Sequence, residues 1–154
     1  MARDDKTIKS HVKPQDLNPG AGSPVELVRK AAQKIREWEK RRETFHFKSI
    51  LLDRGTEAMN NEAEALASAE GIDLLIWQDP DHEAFLLRHF AGCQTLRPPA
   101  GSSMRALKRL WPDYDKATPA IKLAQKIKFA DIIAASGVEP GLRTLLNKIG
   151  FISS

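Results

Sequence analysis

The sequence predicts one α/β domain, a small and mostly parallel sheet flanked by helices, with a helical carboxyl-terminal half. Three observations carry this. FKSILLD (47–53) and GIDLLIW (71–77) are apolar runs of strand length. The stretch between them, Glu57 to Glu70, is rich in Ala, Glu, Leu and Met, with Ala58, Ala65, Leu66 and Ala69 forming a narrow apolar face. After Gln78 the chain reads mainly as helix: Pro80–Phe90, Ser103–Leu110, Pro119 to about Phe129, a short piece ending near Ser136, and Pro140–Ile149.

A strand-helix-strand unit makes a right-handed crossover between parallel strands. Loops that start at Asp53 and Gln78 are therefore expected on one edge of the sheet, where parallel α/β proteins place their chemistry. Before this unit, Thr7–Lys13 reads as a short strand and DLNPGAGSP as a loop. Ser23, Pro24 and Glu26 then match a helix start. Val25, Val28, Ala31, Ala32, Ile35 and Trp38 recur at helical spacing, so a long amphipathic helix is expected to run to about Arg42. Asp79 and Thr118 are the expected caps of the helices that follow them.

The 154 residues suit a single domain spanning 1–154, and 42% hydrophobic with 29% charged residues excludes whole-chain disorder. Aromatics are only 6%, so the core must be mostly aliphatic. No run approaches the roughly 18 apolar residues of a membrane span, and MARDDKTIKSHVKPQ lacks the apolar stretch of a signal peptide, so a cytoplasmic protein is expected. One cysteine, Cys93, excludes an intramolecular disulfide and a multi-thiolate zinc site.

Residues 1–77 hold 13 basic and 13 acidic side chains, whereas 78–154 hold 11 and 7, so the second half carries the whole net charge of +4. Arg97, Arg105, Lys108, Arg109, Lys116, Lys122, Lys126 and Lys128 face only Asp113 and Asp115 in sequence. Such a segment suits phosphate contact, and equally an ordinary solvated helix surface.

Asp79 to Phe90, DPDHEAFLLRHF, carries a resemblance to the RloB family through Pro80, Glu83, Phe85, Leu86, Leu87, His89 and Phe90. ILLDRG resembles that family's strand ending in Asp-Arg-Asp, LWPDYDKA its Leu, Pro, Tyr, Lys segment through Leu110, Pro112, Tyr114 and Lys116, EPGLRTLLNKIG its last helix, and GSPVELVRKA its helix after the first loop. The resemblance covers roughly residues 20–150 and implies a three-layer, Toprim-related fold. It further implies that a glutamate after a first strand and an Asp-x-Asp after a later one hold one or two magnesium ions, hard cations that need several carboxylates. Asp53 matches, Gly55 stands where the second aspartate belongs, and the chain is expected to begin after the strand with the glutamate.

On this footing Asp53, Glu57 and Glu83 are the candidate ligands of magnesium or manganese, and Asp53, Glu83 and His89 the candidate catalytic groups. Glu57 also suits a helix-dipole partner, Glu83 a favourable charge at a helix start, and His89 a packed histidine. His82 is expected to be exposed. Arg54, Lys116, Arg105 and Arg109 are the candidate phosphate contacts, with Arg54 also placed to neutralise Asp53.

The resemblance implies a protein of a prokaryotic defence or restriction-linked system, a metal-dependent nuclease acting on DNA or RNA. The alternative is a catalytically inactive accessory domain that binds an ATPase partner or nucleic acid. A sheet edge left open by a missing strand would favour an oligomer or complex. FADIIAASGVEPGLRTLLNKIG also has the form of a helix-turn-helix, but its last helix carries only Arg143 and Lys148 as basic residues.

Overall fold

Helix α1, Pro24–Lys40, starts at a closed capping box in a computed structural model that describes residues 12–14, 17 and 22–152. The Glu26 amide donates to Ser23 Oγ at 3.3 Å, and the Ser23 amide donates to Glu26 Oε2 at 3.2 Å. Together these satisfy two of the amide groups that a helix start leaves without partners. Strand β1, Ser49–Asp53, alternates exposed and buried side chains, so only Ile50 and Leu52 turn toward α1. Thr56 caps α2, Glu57–Ala69, and β2, Leu74–Gln78, follows.

β1 and β2 pair in parallel, from Ser49 opposite Leu74 to Asp53 opposite Gln78. The expected parallel pairing of two strands joined through α2 is present, and Asp53 and Gln78 end on the same edge. The expected strand at Thr7–Lys13 lies outside the described residues except Val12 and Lys13, which belong to no strand, and most of the expected loop after it lies outside them too.

Helices cover both faces of this small sheet. Val25, Val28, Ala31 and Ala32 of α1 and Ala63 and Ala67 of α2 close over Ile50 and Leu52. Small alanines let the two helices approach each other and the strands closely. On the opposite face Ile76 meets Phe85, Ala135, Leu142 and Leu146, which brings in α6 (Phe129–Ser136) and α7 (Pro140–Lys148). Gly141 lets α7 approach β2 closely, since a Cβ at this position would stand 3.2 Å from Ile76, a tight contact. A third cluster, Leu86, Leu87, Leu107, Trp111 and Tyr114, joins α3 (His82–Leu87) to α4 (Ser103–Leu110).

Several boundaries differ from expectation for local reasons. Asp81, not Asp79, caps α3: its Oδ1 accepts the Ala84 amide at 3.0 Å. The helix is accordingly shorter than Pro80–Phe90. Thr118 does not cap α5 (Ala120–Lys126) but accepts the Asp115 amide at 2.9 Å, inside the preceding turn. Extended backbone at Ile127 and Lys128 separates α5 from α6 where one helix had been expected to run to Phe129.

Candidate functional site

The carboxyl ends of β1 and β2 bring Asp53 and Gln78 side by side, and the start of α3 stands above them with Asp81, His82 and Glu83. Asp53 keeps contact with water but lies in the wall of a groove. Loss of part of its hydration is the strongest influence on it, and the nearby carboxylates of Asp81 and Glu83 add to it. A hydrogen bond from the His82 amide and the charge of Lys116 act in the opposite sense. The balance raises the Asp53 pKa from 3.8 to about 6.

Around it the other groups are held by protein partners. Asp81 is engaged as the α3 cap. Glu83, only 8% exposed, accepts a hydrogen bond from the Tyr114 hydroxyl at 3.3 Å. Burial, with the negative charge of Glu83 beside it, pushes that hydroxyl up to about 12, so Tyr114 stays a neutral donor. His82 is half-buried rather than exposed: its Nδ1 lies 2.5 Å from the Gln78 side-chain amide, and burial lowers its pKa. The site therefore presents a carboxyl group that holds its proton to near neutrality, a fixed phenol–carboxylate pair and one adjacent lysine. Protonated, Asp53 can donate a hydrogen bond to an anionic oxygen; ionised, it repels one.

This titration has a consequence for stability. The unfolded chain releases the Asp53 proton near 3.8 and the folded chain near 6, so ionisation penalises the folded state. Stability contributed by the protonated group is complete below about pH 4 and is lost as pH rises through about 6. Asp53→Asn is expected to match the parent near pH 4 and to exceed it near pH 8, by roughly 1 kcal/mol once solvent screening is discounted. Urea melts at the two pH values check this; parallel profiles would show that Asp53 ionises without penalty.

Of the residues singled out in the sequence, Asp53, Glu83 and Lys116 come together. The others do not. Arg54 leaves Asp53 and turns to the far side of β2, with its guanidinium 5.5 Å from the Trp77 ring centre and its Nε 3.8 Å from Asp79, so it neutralises Asp79 instead. Glu57 is exposed in the first turn of α2, where its charge suits the helix dipole, and it is not among the charges acting on Asp53. His89 lies past the end of α3, buried, with Nδ1–H donating to the Phe85 carbonyl at 2.8 Å and its ring edge against Phe85. Burial lowers its pKa. Arg105 and Arg109 share one exposed face of α4 with Lys108.

A divalent cation does not fit these groups as they stand. Among the described residues no three His, Cys, Asp or Glu side chains are grouped to hold a metal ion. Asp81 is capping a helix and Glu83 is bonded to Tyr114. At Gly55, a side chain would meet the Pro24 ring at 3.2 Å and Met59 Sδ at 3.3 Å, while its amide is bound by Asn60 Oδ1 at 2.8 Å. The backbone here is clamped against α1 and α2 rather than opened toward Asp53.

Sequence reasoning missed the parts played by Gln78, Asp81 and Tyr114. Tyr114 had a signal, since it stands in WPDYDK, but its pairing with Glu83 spans 31 residues and depends on the α3–α4 packing. Arg88 had none. It is fully buried, its Nε donates to Glu139 Oε1, and its other nitrogens donate to the Asp79 carbonyl at 2.8 Å and the Leu96 carbonyl at 3.4 Å. Set against protein-family models, curated proteins and solved structures, the chain matches none of them.

Proposed function

We propose that this chain is a nucleic-acid-binding accessory domain on an RloB-like, Toprim-related scaffold, in which exposed cations of the second half contact phosphate and the acidic site carries no metal-dependent hydrolysis. One observation carries the reading. Arg105, Lys108 and Arg109 on α4, Lys116 at the mouth of the acidic site, and Lys122 and Lys126 on α5 are exposed and enter no ion pair among the described residues. Elsewhere, Lys13, Lys34, Arg36, Lys48 and Arg54 are paired with carboxylates, while Arg29, Lys30, Lys40, Arg41 and Arg42, on and just after α1, are exposed and likewise enter no ion pair among the described residues. A concentration of unpaired cations on adjacent elements is what a polyanion's phosphates recognise, through release of their counterions. The resemblance places such a domain in a defence or restriction-linked system beside an ATPase partner.

Fluorescence anisotropy with labelled duplex DNA, single-stranded DNA and RNA over a salt series tests this. The parent is expected to bind with strong salt dependence, and the combined Arg105→Gln, Lys108→Gln, Arg109→Gln variant to lose about 2 to 3 units of slope in log K against log salt. Unchanged affinity and slope in the variant would refute phosphate contact by α4. In parallel, magnesium and manganese are titrated calorimetrically into the parent and Asp53→Ala. Saturable binding abolished in the variant would overturn the metal-free reading and restore the nuclease.

A further inference from the structure

Among the described residues, β1 pairs only with β2, and its other edge is without a partner strand. On the paired side the Lys48 carbonyl accepts the amides of Asp73 and Leu74, at 2.9 and 3.2 Å, and the Arg54 amide donates to the Gln78 carbonyl at 3.3 Å. Backbone groups alternate along a strand, so those of Lys48, Ile50, Leu52 and Arg54 face β2, and those of Ser49, Leu51 and Asp53 face away. The same three residues carry the exposed side chains of β1, and Leu51, with 46% of its surface open, is among the large exposed apolar residues of the domain.

This edge forms the floor of a groove of about 1610 Å3. One wall is the flank of α1 at Ala31 and Ile35, and the other is α7 at Leu142 and Leu145, while Val12, Lys13, Pro14 and Leu17 of this chain also line the groove. The volume exceeds the roughly 300–1000 Å3 of small-molecule pockets. An edge of five residues is about 17 Å long, the length of one short strand. A strand edge without a partner strand, as the floor between two apolar walls, suits an extended backbone, whose side chains alternate toward α1 and α7.

We propose that β1 accepts, as an added strand, an extended segment of a different polypeptide with alternating apolar side chains and a lysine or arginine at the end that meets Asp53. Charge complementarity selects that end, because the groove beside the carboxyl end of β1 is lined by Asp53, Glu83 and Asp115 against Lys116. A second copy of β1 suits the edge poorly. Antiparallel pairing about Leu51 would set Lys48 opposite Arg54 twice, like charges facing each other across the pair.

The probes are two fluorescein-labelled peptides, Lys-Thr-Val-Thr-Val-Thr-Lys and its counterpart with Glu at both ends, added to the full chain. Saturable binding of one lysine peptide per chain is expected, about tenfold tighter than the glutamate peptide. Slower amide hydrogen exchange at Ser49, Leu51 and Asp53 on addition of the lysine peptide is expected as well. Leu51→Lys, a charge at an exposed edge position that leaves the buried faces untouched, is expected to weaken binding at least about tenfold with an unchanged circular dichroism spectrum. Asp53→Asn is expected to narrow the preference for lysine. Absence of binding, equal binding by Leu51→Lys, or unaltered exchange at the three edge amides would overturn the proposal. So would a concentration-dependent dimer that Leu51→Lys dissolves, which would make a second copy the occupant.

Discussion

Replacing Arg88 by alanine is expected to lower the unfolding free energy by about 3–5 kcal/mol, the largest single-site loss in the domain. The guanidinium is fully buried and its partners lie on three separate segments: Glu139 at the start of α7, the Asp79 carbonyl after β2, and the Leu96 carbonyl in the loop before α4. Removing it leaves Glu139, 8% exposed, as a buried carboxylate without its counter-charge, along with two carbonyls that lose their donor. Glu139→Gln is expected to cost a comparable amount from the other side. The pair Arg88→Met with Glu139→Leu, which removes both charges, is expected to recover much of the loss. A double-mutant cycle by urea denaturation measures this, and single-variant losses below about 1 kcal/mol would mean that the pair is not desolvated.

Leu107→Ala is the second large effect, expected at about 2–5 kcal/mol because it empties a site with no exposed surface. Leu107 is the only fully buried apolar side chain of α4, and it seats the helix against Leu86, Leu87 and Trp111. Its loss should unseat the face carrying Arg105, Lys108 and Arg109, so phosphate affinity is expected to fall along with stability. Leu110→Ala on the same helix, 44% exposed, is expected to change stability by no more than about 0.5 kcal/mol. Thermal melts of both variants check the contrast; equal shifts would show that α4 is not anchored through Leu107.

Much of the fold was readable from local signals. Ser23, Pro24 and Glu26 state a helix start that needs no distant partner, and α1 begins there. The two apolar runs and the Ala/Glu-rich stretch between them became β1, α2 and β2, because a crossover of that length has one favoured hand. Local signals failed where two residues competed for one role. Asp79 and Asp81 both precede α3, and either is a chemically suitable cap; Asp81 took the position. The continuous helical pattern from Pro119 to Phe129 could not reveal that the chain would become extended at Ile127 and Lys128.

The candidate site divides the same way. Proximity of Asp53 to the end of β2 followed from parallel pairing alone, and Glu83 followed from its place in the first turn of the next helix. That Arg54 points away from Asp53 follows from the alternation of side chains along an extended segment, but its partners Trp77 and Asp79 could not be read from the sequence. Thus the sequence by itself determined the α/β class, the crossover and the surplus of positive charge in the second half, because periodicity, capping and composition are local properties. Only the tertiary structure decided that Arg88 would bury against Glu139 and that Tyr114 would close on Glu83. Each depends on where segments distant in sequence come to rest in space.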